Sequence, residues 1–394
     1  MEVPMAAEQR FDTRVIHEGE GQPPEAAPLT VPIYETSTFV FDSAADVEAY
    51  NAGLSRKFLY SRYENPTVAA VERKVAALEG AEAALVFSSG MAATATTLMA
   101  LTGAGDEVVC TASLYGGTLH LLGDLLSRFG VSARFVELAD LADPDRALSD
   151  RTRVFWFESP TNPTLRIVDM AAVASACRRR GVVSVIDSTF ASPVNQQPLA
   201  LGVDLVMHSA TKYLGGHSDI TAGAIAGSAA LVARVAAARR LLGTVLDPQP
   251  AYALGRSLKT LSLRVARHNA NAAAVAAFLE RDPRVSRVFY PGLPSHPDHA
   301  LARRQMRGFG GMVCVDLEGS FERACRVFDR LQVFRRAASL GGVESLCSLP
   351  ILTSQAGYTD EQLARAGVTR GMLRLSVGLE DPADLTADLD QALG

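Results

Sequence analysis

Met207-His208-Ser209-Ala210-Thr211-Lys212-Tyr213-Leu214-Gly215-Gly216-His217 follows Gly202-Val203-Asp204-Leu205-Val206, a short apolar run bounded by polar residues that reads as a buried strand. A lysine just past such a strand, set among hydroxyl residues and then glycines, is oddly placed for a solubilising charge. The chain holds only four lysines, Lys57, Lys74, Lys212 and Lys259, and arginine supplies its other basic residues. Lysine alone offers a primary amine whose pKa falls on burial, the property that Schiff-base chemistry requires. By itself Lys212 also fits a plain strand-end lysine in a Gly-rich turn. The surrounding chain favours the chemical reading.

Upstream, short strands are expected at 83–88, 107–110, 133–137, 154–158, 182–187 and 204–208. Helices are expected at 68–78, 92–101, 117–129 and 169–180, between some of the strands. Alternating β and α segments predict a largely parallel sheet covered on both faces, and in such sheets ligands sit beyond the C-terminal strand ends. Asp187 ends the apolar strand Val182-Val183-Ser184-Val185-Ile186, where an unpaired buried carboxylate is costly and calls for a cationic or N–H partner. Ser88-Ser89-Gly90-Met91 joins a strand to a helix. That turn either presents backbone N–H groups to an anion or is simply a tight connection. No lysine follows its glycine, so it is not a P-loop. An aspartate for a protonated pyridine nitrogen, a Schiff-base lysine and a phosphate-holding turn together describe a pyridoxal phosphate site. Ser209 and Thr211 would add hydroxyl donors beside Ser88, Gly90 and Met91, and Tyr115 lies past another strand end, where its ring could stack on the cofactor.

Residues 1 to about 60 show little periodicity and are punctuated by Pro23, Pro24, Pro28 and Pro32, yet they carry Phe11, Tyr34, Phe39, Phe41, Tyr50 and Phe58. Disordered segments avoid such residues, so this arm is expected to pack on something, a neighbouring subunit being the candidate. Arg62, read alone, is a surface charge. Beyond Pro250 one long helix is expected over 251–279, followed by an α+β lobe with strands at 285–290, 311–316 and 372–377. Arg374 lies inside Met372-Leu373-Arg374-Leu375-Ser376-Val377, where it needs an anion. Its planar fork suits a substrate carboxylate, and an internal salt bridge is the other possibility.

At 394 residues the chain exceeds what a single core accommodates, so two domains are expected, with an arm at 1–60, a large domain at 61–250 and a small one at 251–394. A formal charge of −5 gives no electrostatic case for nucleic acid or an anionic membrane. The first residues carry early acids and no apolar segment, which argues against a secretory signal, and no run is long enough for a membrane span. Five cysteines without ligand spacing suit reduced thiols. The expectation is a cytoplasmic protein without a metal.

The motifs PIYETSTF (32–39), YSRYENPT (60–67), FSSGM (87–91), LYGGT (114–118), ESPTNP (158–163), VIDSTF (185–190), HSATKYLGGHSD (208–219), SLGGVESL (339–346) and LRLSVGLE (373–380) give the chain a resemblance to the Cys/Met-metabolism family of pyridoxal-phosphate enzymes. The resemblance runs from about Thr13 to the C-terminus. It implies the aspartate-aminotransferase-like fold type I, an α/β large domain with a mostly parallel sheet plus a smaller α+β C-terminal domain. It also implies a homotetramer, a dimer of dimers with active sites shared between chains. It assigns Lys212 to the Schiff base and proton transfer, Asp187 to the pyridinium, and Tyr115 to ring stacking and proton transfer. Gly90, Met91, Ser209 and Thr211 would hold the phosphate, Tyr60 and Arg62 would reach the phosphate of the neighbouring subunit, and Asn162, Ser339 and Arg374 would position the cofactor hydroxyl and the substrate carboxylate.

The implied chemistry is elimination or replacement at the γ-carbon of a homoserine-type amino acid. Family members acting on cystathionine usually carry Glu before SLGG, where this chain has Ala338, which favours a short uncharged γ-substituent. Gly117 and Gly342 point the other way, since methionine γ-lyases usually carry Cys and Asp there. The expectation is a methionine γ-lyase-like elimination. The alternatives are a cystathionine γ-synthase or γ-lyase, an O-acylhomoserine sulfhydrylase, a specialised biosynthetic γ-substitution enzyme, or a non-catalytic pyridoxal-phosphate-binding protein.

Overall fold

The computed structural model describes residues 9–19, 28–318 and 320–394. Residues 1–8, Pro23 and Pro24, on which part of the reading of the N-terminal arm rests, lie outside them. Seven strands form the first sheet: β1 (Ala83–Phe87), β2 (Glu107–Thr111), β3 (Ser132–Val136), β4 (Thr152–Glu158), β5 (Val183–Asp187), β6 (Leu205–His208) and β7 (Gly223–Gly227). Their order is β1-β7-β6-β5-β4-β2-β3, with only β7 antiparallel to its neighbours. The strand order reverses between β2 and β4, the kind of switch point at which open α/β sheets bind ligands.

Each central strand is pinned on both faces. Trp156 of β4 and Val185 of β5 belong to the cluster under the helices Gly90–Leu101 and Ala229–Leu242, while Phe155, Phe157 and Ile186 belong to the cluster under the helix Met170–Arg180. All five are 0% exposed. Burying such side chains contributes roughly 1.5–3 kcal/mol each, so the residues that follow them at the strand ends start from a fixed place.

Helix ends obey local chemistry. The helix Pro66–Glu79 starts with Asn65 accepting from the Thr67 N–H at 2.9 Å and with proline at its first position, and it stops at Gly80 in a left-handed conformation. Ser89 caps the helix Gly90–Leu101 by accepting from the Ala92 N–H at 3.0 Å.

Several expectations are corrected. The span 251–279 is two helices, Pro248–Leu258 and Leu261–Glu280. The break is fixed by the Arg264 guanidinium, which donates to the carbonyls of Ser257 (2.9 Å) and Tyr213 (2.7 Å), and by the Thr260 hydroxyl on Ser257 O. The segment 117–129 is helical only in pieces, an α-turn, a π-turn and a 3₁₀-turn. The strand β7, Gly-Ala-Ile-Ala-Gly, carries little strand signal in the sequence because Ile225 is its one β-branched residue and it has no aromatic one. Its small residues are required by close approach: a Cβ at Gly223 would lie 2.2 Å from Ser89 O. The weakly periodic N-terminal region holds two short helices, Phe11–His17 and Ala44–Asn51.

The second sheet contains β8 (Arg287–Phe289), β9 (Met312–Asp316), β10 (Arg335–Arg336), β11 (Leu346–Ser348) and β12 (Met372–Ser376), ordered β10-β11-β12-β9-β8. Arg374 occupies the middle of β12, flanked by Cys314 and Ser348 on the adjoining strands. No helix among the described residues is long and apolar enough to cross a membrane, and no group of three or more His, Cys, Asp or Glu among them could hold a metal ion. The five cysteines are unpaired.

Candidate active site

A cavity of about 610 Å³ opens at the C-terminal ends of β2, β4, β5 and β6 and is closed on its other side by residues 338–340, 352–354 and Arg374. Gly90, Met91, Tyr115, Asn162, Asp187, Ser209, Thr211, Lys212, Ala338, Ser339 and Arg374 all line it. The sequence-derived rim is therefore one place in the molecule, although its members span nearly three hundred residues.

Lys212 stands at its centre. Its ammonium donates to the Ser339 hydroxyl at 2.7 Å. Burial, and after it the positive charge of Arg374, lower the Lys212 pKa from the ordinary lysine value. The neutral, nucleophilic amine is thereby more accessible than at a surface lysine. Ser339 holds an unusual backbone conformation, with φ of +152°. Its carbonyl accepts from Arg374 Nη2 at 3.4 Å, so one residue spans both cations.

Arg374 is only 6% exposed and makes no ion pair with a carboxylate of the described residues. Its Nη1 donates to Asn162 Oδ1 at 2.9 Å, and its buried Nε has no partner. A guanidinium held by a neutral amide, with donor capacity unused and its fork at a cavity, suits a carboxylate ligand. The internal salt bridge considered from sequence is not formed.

Asp187 is partly buried and opens to the cavity. Its Oδ1 accepts from the Thr189 N–H at 3.0 Å. The Thr189 hydroxyl also bonds this carboxylate and accepts from the Ser209 N–H at 2.8 Å, which ties the strand end of Asp187 to the Lys212 stretch. Burial raises the Asp187 pKa, with the Thr189 bonds opposing it. A buried carboxyl without an ion-pair partner is matched to a basic ring nitrogen.

At the end of the cavity expected from sequence to meet a phosphate, Ser88 is exposed, its N–H donates to Thr244 O, and it does not line the cavity, whereas Ser89 does. The expected strand ran one residue too far, since β1 stops at Phe87. The N–H groups of Gly90 and Met91 precede the first intrahelical bond, from Ala93 N–H to Ser89 O, and make the cavity wall a helix N-terminus. A Cβ at Gly90 would lie 2.9 Å from Ser209 Cβ, so glycine lets the turn and the Ser209 segment meet. Thr211 is partly committed: its hydroxyl donates to Ala222 O (3.2 Å) and accepts from Ala222 N–H (2.9 Å).

The Tyr115 ring lies over Gly117, where an added Cβ would come 2.5 Å from Tyr115 Cε1. Tyr60 and Arg62 do not line this cavity. Arg62 Nη1 donates to Arg240 O at 2.6 Å, and its guanidinium lies 4.9 Å from the Tyr63 ring centroid and 5.4 Å from that of Tyr60.

Two residues that sequence reasoning passed over stand in the wall, Thr189 and Glu158. Glu158 ends the apolar strand Val154-Phe155-Trp156-Phe157, the same signal that picked out Asp187. Its Oε1 accepts the Tyr115 N–H at 2.6 Å.

A buried amine of lowered pKa, a carboxyl at a strand end, a helix N-terminus and an unpaired guanidinium fit a ligand with an aldehyde, a basic ring nitrogen and a phosphate, together with an amino acid. Comparison with known proteins agrees. The profile of the family described as Cys/Met metabolism PLP-dependent enzyme matches residues 12–394. The chain is 46% identical over 385 residues to the L-methionine gamma-lyase of Pseudomonas putida, covering 97% of each. It is also 46% identical over 383 residues to the cystathionine gamma-synthase of Mycobacterium bovis, covering 97% of this chain and 96% of that one. The structure of cystathionine gamma-lyase from Lactobacillus plantarum complexed with L-serine superposes with a TM-score of 0.92 at 38% identity, covering 98% of each chain.

Proposed function

We propose that this chain, which belongs to the Cys/Met metabolism PLP-dependent enzyme family, catalyses γ-elimination on a methionine-like amino acid, giving 2-oxobutanoate, ammonia and a thiol. The observation that carries the substrate reading is the charge inventory of the cavity. Its charged side chains are Lys212, Arg374, Asp187 and Glu158, and at the far wall stands Ala338. Lys212, Arg374 and Asp187 each have a task at the amino-acid or cofactor end, and the Glu158 carboxyl is engaged by the backbone N–H groups of Tyr115 and Asn162, so none is left to meet a second ammonium group on the γ-substituent.

Pyridoxal phosphate, when bound, supplies an electrophilic carbonyl and an electron-withdrawing ring that ease departure of the Cα proton and then of the γ-substituent. The chain's residues do the rest. Lys212 holds the cofactor and, as an amine of lowered pKa, takes and returns protons at the substrate carbons. Arg374, oriented by Asn162, fixes the substrate carboxylate, and Ser339 keeps Lys212 beside it. Asp187 pairs with the ring nitrogen, Tyr115 covers the ring, and Ser89, Gly90, Met91, Ser209 and Thr211 form the phosphate end. Tyr60 and Arg62, outside their own cavity, serve the phosphate of a neighbouring subunit in a homotetramer. The aromatic N-terminal arm (1–60) is then an inter-subunit contact, beside a cofactor domain (61–250) and a small domain (251–394). A cytoplasmic location accords with this chemistry.

A second reading, γ-replacement or cleavage centred on cystathionine, is favoured by Gly117, whose space is taken up by the Tyr115 ring. The two are separated by 2-oxobutanoate release from purified protein given L-methionine, L-cystathionine, or an O-acylhomoserine with and without a thiol. Release from methionine supports elimination. Release from cystathionine alone, or consumption of the ester only with a thiol, sinks it in favour of the second.

A further inference from the structure

Two carboxyl groups stand side by side at the floor of the cavity. Glu158 of β4 and Asp187 of β5 are register partners at adjacent strand ends. The second has an evident task; the first has none in the reaction outlined above, yet it is buried, at 5% exposure, and β4 is anchored by the three fully buried rings of Phe155, Trp156 and Phe157.

Its contacts show what it holds. Oε1 accepts the Tyr115 N–H at 2.6 Å, and the backbone N–H of Asn162 bonds the same carboxyl. Tyr115 is the residue whose ring faces the cavity, and Asn162 is the residue that orients Arg374. One side chain thus pins, through their backbones, the loops after β2 and β4 on either side of the topological switch.

The charge on Glu158 follows from its neighbours. Among the described residues it forms no ion pair; the charged group facing it is Asp187, on which His208 acts in turn, and the buried, unpartnered hydroxyl of Tyr358 faces it from the segment before the helix Asp360–Arg365. Two adjacent carboxyl groups at buried strand ends cannot both ionise at little cost. Burial, and then Asp187, push the Glu158 pKa well up. Asp187, with its Thr189 bonds, is the better site for the one negative charge.

We infer that Glu158 is a positioning residue which, as a neutral carboxylic acid, holds the backbones of Tyr115 and Asn162 in fixed relation to Asp187. This rests on the cavity being the pyridoxal phosphate site, and not on which amino acid is cleaved. Because the work is done by an accepting oxygen and not by charge, an amide of the same shape should replace it, while removal of the side chain should let both loops drift. Misplacement of site groups by about 1 Å can cost on the order of 10²-fold in rate.

The test compares the holoenzyme with Glu158→Gln and Glu158→Ala. Pyridoxal phosphate is titrated into each apoprotein and followed by visible circular dichroism, which reports the asymmetry of the ring's surroundings independently of turnover. Glu158→Ala is expected to lose roughly 10–100-fold in kcat and to change the dichroic band. Glu158→Gln is expected to recover both to within about threefold of the parent and to keep its pH–rate profile between roughly pH 6 and 9. If the alanine variant does not fold, the glutamine variant alone decides. A glutamine variant whose dichroism or pH profile departs from the parent overturns the neutral-acid assignment, and an alanine variant with unaltered dichroism and kcat overturns positioning. A protein that binds no cofactor at all removes the premise, whereas an unexpected substrate does not.

Discussion

The Lys212 ammonium and the Ser339 hydroxyl lie 2.7 Å apart, and the Ser339 carbonyl also accepts from Arg374. A residue of the small sheet's flank therefore couples the amine of the large sheet to the guanidinium that faces the same cavity. The two lobes complete one site, and neither carries it alone.

Arg374→Gln should raise KM for the amino acid by about 10–100-fold, the size expected for losing hydrogen bonds to a charged group. Arg374→Lys should fall short of restoring it, because a point charge cannot reproduce a fork held by Asn162. Steady-state kinetics decide. A glutamine variant with unchanged KM means that the carboxylate binds elsewhere.

The lowered pKa of Lys212 has a consequence for the cofactor-free protein. Below the depressed native value the buried ammonium opposes folding. Between that value and the ordinary lysine pKa of about 10.4, the unfolded chain binds more protons, so stability rises with pH across that window. Chemical denaturation of the apoprotein against pH should show this rise, and Lys212→Ala should flatten it. Equal slopes in the two proteins would contradict the electrostatic description of Lys212.

Much of the site was legible because buried strands are written as apolar runs, so a carboxylate ending Val182–Ile186 or a lysine beyond Leu205–His208 stands out. The reading stopped where the chain gives no such contrast. Glycine and alanine in β7 serve close approach to Ser89 and leave no strand pattern. The break at Thr260 depends on Arg264 reaching carbonyls of another segment, a tertiary contact without local signal. Ser88 and Ser89 are not separable from the sequence because a strand end is uncertain by a residue, and one residue reverses which side chain faces the site. Glu158 carried the same signal as Asp187 and went unused.

Gly117 gives a steric prediction. A Cβ there would sit 2.5 Å from Tyr115 Cε1 and 3.0 Å from Met91 Sδ, so Gly117→Ala or Gly117→Cys must swing the ring aside. The expected outcome is a fall in kcat of roughly tenfold or more, with thermal stability changed by no more than about 0.5 kcal/mol. Full activity in Gly117→Cys would show that the ring has room to move without penalty.

Arg62 bonds Arg240 O and lies outside its own cavity. If it reaches the phosphate of a neighbouring subunit, Arg62→Ala should weaken pyridoxal phosphate binding in the assembled protein by about 10-fold or more, as loss of a charge-assisted contact implies. Equilibrium dialysis of the cofactor measures this. Unaltered affinity speaks against a shared site.

The central claim is that Lys212 carries the cofactor. The direct measurement is borohydride reduction of the holoprotein followed by peptide mapping. The account predicts a pyridoxyl phosphate adduct on Lys212, and loss of both adduct and visible absorbance in Lys212→Ala. An adduct on Lys57, Lys74 or Lys259, or absorbance that survives Lys212→Ala, contradicts it.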